Sequence, residues 1–200
     1  PLILALTASP GATQEKIQEV CTNLGIKNVE IRTEEDPDVK PYVHEMDIDW
    51  RKVEFPQEFR ELRDMIDKFI SARFEQLKNQ GALKGRPHRK TDLIMLQKRF
   101  QMYARKNPAA YTYIKEIAAI IKVMHAKELL ESQSIPVLHE YLRKFFESKE
   151  PLKSELMIIN DPLMKELFQK VSELKGNTEH PKMKVVVDAV KEELKETDRV

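Results

Sequence analysis

The sequence has little glycine, five residues in 200, and a single cysteine, Cys21. With 34% charged residues, scarce glycine points to a helix-rich chain, because helices carry charge on their outer faces and have little use for Gly. One cysteine excludes a disulfide framework and a Cys-based zinc site, and it fits a reducing, cytoplasmic location. No apolar run approaches the roughly 18 residues a spanning helix needs, so no membrane role is expected. Neither Met nor a basic leader opens the chain at Pro1, which gives the expectation of a piece cut from something longer.

A net charge bias is also missing: 34 basic residues meet 33 acidic ones. The balance hides a segregation. Between Lys84 and Lys127 eleven basic residues stand against two acids, Asp92 and Glu116, and the rest of the chain carries the compensating negative charge. A positive middle of this size favours polyanionic partners.

Leu2–Leu6 is an unbroken apolar run of the kind found in a doubly covered parallel strand, ending at Thr7-Ala8-Ser9-Pro10-Gly11. Ile17, Val20, Cys21 and Leu24 recur at helical spacing over 14–24, before Gly25. Asn28–Arg32 predicts a second strand, and the alternation from Met46 through Phe55 a third with a bulge near Lys52. After Pro56 the period changes. A long amphipathic helix carries Phe59, Leu62, Ile66, Phe69, Ile70 and Leu77 and ends at Gly81. A basic loop follows, then helices over 91–106, 108–131, 134–148, 161–175 and 181–196. Asn107-Pro108, Asp161-Pro162 and His180-Pro181 supply their start signals. The expected fold class is mainly α: a helical block with a short α/β piece at the N-terminus, with boundaries at 55 and 178.

Within the helix at 91–106, Leu93, Leu96, Phe100 and Tyr103 form the stripe expected to face a core. Lys98, Arg99, Arg105 and Lys106 fall opposite, a plausible track for phosphates. Arg86, Arg89 and Lys90 precede them, and Lys115 and Lys122 share a face of the next helix. These nine are the candidate nucleic-acid contacts. Tyr103, Tyr111 and Tyr113 lie among the cations, where stacking on bases competes with the commoner packing role. The five histidines show no metal-ligand spacing and read as structural or surface residues. No G-x-x-x-x-G-K-[ST] loop is present, so the chain contains no complete active site and no catalytic residue is assigned.

Leu4-Ala5-Leu6-Thr7-Ala8-Ser9-Pro10-Gly11 resembles motif III of superfamily 2 helicases. With Glu15-Lys16-Ile17, Asn23-Leu24-Gly25-Ile26 and the run Asp36-Pro37-Asp38-Val39-Lys40-Pro41-Tyr42-Val43, the chain resembles archaeal Hef helicase/nucleases, relatives of the Fanconi anaemia complementation group M protein. His125-Ala126-Lys127-Glu128-Leu129-Leu130-Glu131-Ser132-Gln133 is similar to a stretch of their helical insert, and His180-Pro181-Lys182-Met183 to the start of their second motor domain. The resemblance implies an ATP-driven enzyme on forked or branched DNA, two RecA-like motor domains and a thumb-like insert between them. On that basis 1–55 ends motor domain 1, 56–178 is the insert and 179–200 is the first helix of motor domain 2. It also implies that Thr7, Ala8 and Ser9 couple ATP hydrolysis to DNA movement. ATP and Mg²⁺ would serve the parent enzyme and none would bind this chain alone. Two other readings stand beside it: a helical module that docks accessory proteins, and the insert of an RNA-sensing relative. Unpaired strand edges would favour self-association.

Overall fold

A computed structural model describes residues 2–9, 11, 13–44, 48–83, 85, 89–105, 107–176 and 179–196. The chain forms two compact units, residues 1–50 and 51–200.

In the first unit, α1 spans Gln14–Leu24. The Thr13 side chain accepts from the Lys16 N–H, and Gly25, at φ 66°, closes the other end by donating to the carbonyls of Cys21 and Thr22. An L side chain is strained at that φ, which is why glycine ends the helix. Cys21 and Ile17 are half-buried, and no α1 residue is fully buried. Ala5–Ala8 and Asn28–Arg32 line one cavity with Ile17, Val20 and Leu24, so both segments lie at the same face of the helix. Among the described residues neither segment is a strand, and nor is Ile48–Phe55, which corrects the expected α/β piece. Met46 and Asp47, the start of the third expected strand, lie outside the described residues. A strand exists through its ladder, and these segments have no ladder partner among the described residues; Leu2, Leu4, Leu6 and Ile31 stand in the open.

The second unit is a helical bundle: α2 (Gln57–Asn79), α3 (Lys90–Tyr103), α4 (Ala109–Ser132), α5 (Ile135–Phe146), α6 (Lys153–Ile159), α7 (Pro162–Leu174) and α8 (Pro181–Glu196). Phe59, Leu62, Ile66, Phe69, Ile70 and Leu77 fall at steps of one to seven along α2 and are all buried, the predicted stripe. The central helix is α4, packed by α2, α3, α5 and α6. Ile117, Ile120, Val123 and Leu130 of α4 join Leu138 and Leu142 of α5 and Met164, Leu167 and Val171 of α7 in one core. Asp161 caps α7 through its side chain, accepting from the Leu163 and Met164 N–H groups, with Pro162 as first helical residue. Gly81, at φ 72°, ends α2 where expected. The seven-residue α6 is absent from the sequence reading; it holds barely two turns, too few for a period to register.

One polar side chain fastens three parts of this bundle. Arg73 of α2 faces both Glu116 oxygens from α4 at 3.4 Å and the Asp161 carboxylate at 3.2 Å, and its guanidinium lies 4.9 Å from the Phe69 ring centre. Glu116 is buried, and that burial pushes its carboxyl above the ordinary value despite Arg73. His180 is buried beside Phe55 and Phe59, edge-on to both rings. Its Nδ1 accepts from the Lys182 N–H at 3.3 Å and its Nε2 lies 3.3 Å from the Leu130 carbonyl, so the ring is neutral with the proton on Nε2. Through it and the Lys182 ammonium, which donates to the Glu131 carbonyl, α8 is tied to the end of α4.

Candidate nucleic-acid interface

α3 and α4 form an antiparallel hairpin, and its construction decides which cations face water. Asp92 accepts from the Arg89 N–H at 3.1 Å and so satisfies the α3 N-terminus. Leu93 is fully buried, while Leu96 and Phe100 pack against the core from its edge. The Gln97 amide donates to the Ile114 carbonyl, and Phe100 and Tyr113 meet with ring centres 5.1 Å apart. The Tyr113 hydroxyl donates to the Gln80 carbonyl at 3.3 Å. At the turn, the Asn107 side chain accepts from the Ala109 N–H.

With one side of α3 fixed inward, Lys98 and Arg99 project outward and Arg105 follows at the turn; all three are exposed. Lys115, on α4, is half-buried. None of these four, nor the exposed Arg89, joins an ion pair among the described residues. Two other candidates are neutralised. Lys90 pairs with Glu128 at 2.9 Å, and Lys122 pairs with Glu155 of α6 while lying 5.3 Å from the Phe145 ring. Lys127, counted in the basic segment, pairs with Asp67 of α2 at 2.8 Å. Arg86 and Lys106 lie outside the described residues. Of the acids within the basic segment, Glu116 is turned inward to Arg73 and Asp92 accepts from the backbone at the start of α3.

Tyr103 departs from the sequence expectation. Its spacing puts it on the core stripe, yet it is 53% exposed at the last residue of α3, while its neighbour Ala104 is buried. Tyr111 is 55% exposed, whereas Tyr113 follows the packing role. Met95 and Met102, 70% and 76% exposed, add apolar surface on α3 that the charge pattern gave no reason to single out.

Thr7, Ala8 and Ser9 lie in the first unit and are exposed. The Thr7 hydroxyl accepts from the Ser9 N–H at 3.1 Å, a local turn that holds both hydroxyls near the end of the extended segment. Of the histidines, His139 is buried and stacked on Phe168, its Nδ1 without a hydrogen-bond partner among the described residues, and burial holds it below its ordinary pKa, as it does His180. His125 faces Glu128 and His44 is exposed, while His88 lies outside the described residues. Among the described residues no group of three potential ligands could hold a metal ion, and no helix is long and apolar enough to cross a membrane.

Comparison with known proteins places this bundle. Residues 58–180 match the family model described as "Putative ATP-dependent RNA helicase, helical bundle". "Putative ATP-dependent RNA helicase MJ1505" of Methanocaldococcus jannaschii is 39% identical over 190 residues, covering 94% of this chain and 24% of that protein. ATP-dependent DNA helicase mph1 of Neurospora crassa is 28% identical over 202 residues, covering 94% of this chain and 17% of that protein. Among solved structures, the Pyrococcus furiosus Hef helicase domain superposes with a TM-score of 0.64 at 30% identity, covering 96% of this chain and 41% of that one. The chain thus spans about a quarter or less of these curated relatives. With the family match extending from the start of α2 to His180, the chain belongs to the helicase helical-bundle family of that description and covers the helical insert of a superfamily 2 helicase.

Proposed function

We propose that this chain is the insert-spanning segment of an ATP-dependent DNA helicase that remodels forked or branched DNA, its bundle gripping the sugar-phosphate backbone. The observation that carries the reading is that Lys98, Arg99 and Arg105, exposed on α3 and the turn after it, and half-buried Lys115 on α4 join no ion pair among the described residues. Unpaired cations on a rigid helical support attract phosphates and release their counterions, without reading base sequence. Arg89 extends the same surface. Lys90 and Lys122 are committed to Glu128 and Glu155 and have a supporting role in this reading.

In the parent enzyme, residues 1–55 would end motor domain 1, 56–178 would form the insert and 179–200 would open motor domain 2. Thr7, Ala8 and Ser9 would then relay the nucleotide state, through hydroxyls able to change partners. ATP and Mg²⁺ belong to that parent. This sequence carries no phosphate-binding loop and the described residues show no carboxylate cluster to seat Mg²⁺, so no step is assigned to either here. DNA is favoured over RNA by the Asp36–Val43 block, which resembles Hef; a cytoplasmic site of action goes with the archaeal likeness. One observation favours a second reading: Ile94, Met95 and Met102 leave apolar surface on α3 that suits a docked protein.

A gel shift with a forked duplex decides. Four phosphate contacts give roughly a 10²-fold loss of affinity between 50 and 200 mM salt. The combined variant Lys98→Glu, Arg99→Glu, Arg105→Glu and Lys115→Glu is expected to lose fork binding while its circular dichroism stays helical. Undiminished binding by that folded variant, or a salt-independent affinity, sinks the reading; a chain that ignores nucleic acid but captures a protein partner supports the second.

A further inference from the structure

We propose that the tip of the α3–α4 hairpin also stacks unpaired bases, on the rings of Tyr103 and Tyr111. The inference rests on the phosphate-binding reading above and adds to it the part of the nucleic acid that would be recognised.

Two of the four tyrosines in this bundle pack the ring and satisfy the hydroxyl. Tyr113 does so against Phe100 and the Gln80 carbonyl. Tyr141 does so against His125, Phe145 and the Lys122 carbonyl. Tyr103 and Tyr111 do neither: each is more than half exposed, and neither hydroxyl makes a hydrogen bond among the described residues. Their backbones are nevertheless held. Tyr103 is the last residue of α3 and its carbonyl accepts from the Asn107 N–H at 3.0 Å; Tyr111 is in the first turn of α4 and its N–H donates to the Pro108 carbonyl. A short turn therefore holds two bare rings at one end of a packed hairpin.

Each ring also has a cation one helical turn behind it. Arg99 precedes Tyr103 by four residues, Lys115 follows Tyr111 by four, and Arg105 lies in the turn between them. Side chains four apart on a helix are about 5–6 Å apart at Cβ, comparable with the reach from a base to the phosphate of its own nucleotide. A ring with a cation at that spacing can hold a base by its face and its phosphate by charge, as single-strand binding surfaces do. In a continuous duplex both faces of every base are covered by neighbours. Only unpaired bases, or those at a branch point, offer a free face to a tyrosine. The surface thus fits a strand released at a junction better than uniform duplex.

The test measures binding of the whole chain to three probes: labelled oligothymidine of about 20 nucleotides, long enough for a single-strand site, an abasic oligomer of the same length, and a relaxed closed circular duplex with no free base face. The Tyr103→Ala, Tyr111→Ala double variant is expected to lose tenfold or more in affinity for oligothymidine and less than twofold for the other two. The Tyr103→Phe, Tyr111→Phe pair should match the unaltered chain, since stacking needs the ring and not the hydroxyl. An alanine variant that keeps its oligothymidine affinity, or loses it equally for all three probes, overturns the stacking and leaves the phosphate surface intact. A chain that binds none of the probes overturns both.

Discussion

Arg73 shows what a single side chain settles in this bundle. It answers two carboxylates, and one of them, Glu116, is fully buried. Removing one partner of a buried pair leaves the other charge uncompensated, at a cost of about 3 kcal/mol or more. Arg73→Met is therefore expected to lower the stability from chemical denaturation by about that much. Glu116→Gln should be much milder, because burial already makes the charged carboxylate unfavourable, and Arg73→Met with Glu116→Gln should recover most of the loss. Equal damage from the two single changes would show that the pair contributes through geometry and not through charge. The buried histidines set a pH dependence. His180 and His139 both lie below their ordinary pKa, so the unfolded chain binds the more protons. Their contribution is complete above about pH 6.5 and is lost as the pH falls from there toward the folded values. Glu116 acts oppositely: the folded state holds its proton up to a higher pH, which favours folding as the pH drops through that range. His180→Asn, which keeps a cap for the Lys182 N–H, should flatten the fall in urea midpoint between pH 6.5 and 5.

At the scale of elements, α3 is the least firmly seated helix of the hairpin, with Leu93 its one fully buried residue. Leu93→Ala is expected to cost about 3 kcal/mol, to raise hydrogen exchange in α3 ahead of α2 and α4, and to weaken fork binding through loss of the support under Lys98 and Arg99. Unchanged exchange in α3 would mean that Leu96, Phe100 and the Gln97–Ile114 bond suffice to hold it. The helices were largely legible: the stripe of α2, the Gly25 end of α1 and the proline starts of α7 and α8 are local signals that tertiary packing only had to accept. What was not legible came from distant partners. Lys90 and Lys122 look as free as Lys98 in the sequence, but Glu128 and Glu155 reach them from 38 and 33 residues away. Periodicity assigned Tyr103 to the core, yet at the end of α3 it is the next residue, Ala104, that is buried. The apolar runs at 2–6 and 28–32 have strand composition, but a ladder is a property of a pair of segments.

For the whole molecule, the two compact units make a direct prediction. A chain of residues 51–200 holds the entire bundle, its buried network and Arg89, Lys98, Arg99, Arg105 and Lys115, so it is expected to unfold cooperatively and to bind forked DNA with the affinity of the full chain within about threefold, a difference of under ~0.7 kcal/mol. A larger loss would assign part of the grip to residues 1–50. The open leucines of the first unit and the row Met183, Val186, Val190 and Leu194 on α8 are exposed apolar surface, so self-association of this chain is the expected outcome as its concentration rises, checked by light scattering.

Because the guanidinium of Arg73 clamps α2, α4 and the start of α7 at once, these helices have no cheap way to slide past one another. A load applied at the hairpin turn would travel through the bundle as through a stiff lever, with little of the displacement absorbed on the way. Tension on a bound strand would then be felt at the far end of α4, where His180 anchors the next helix, and the bundle would serve as a mechanical arm as much as a surface for contact.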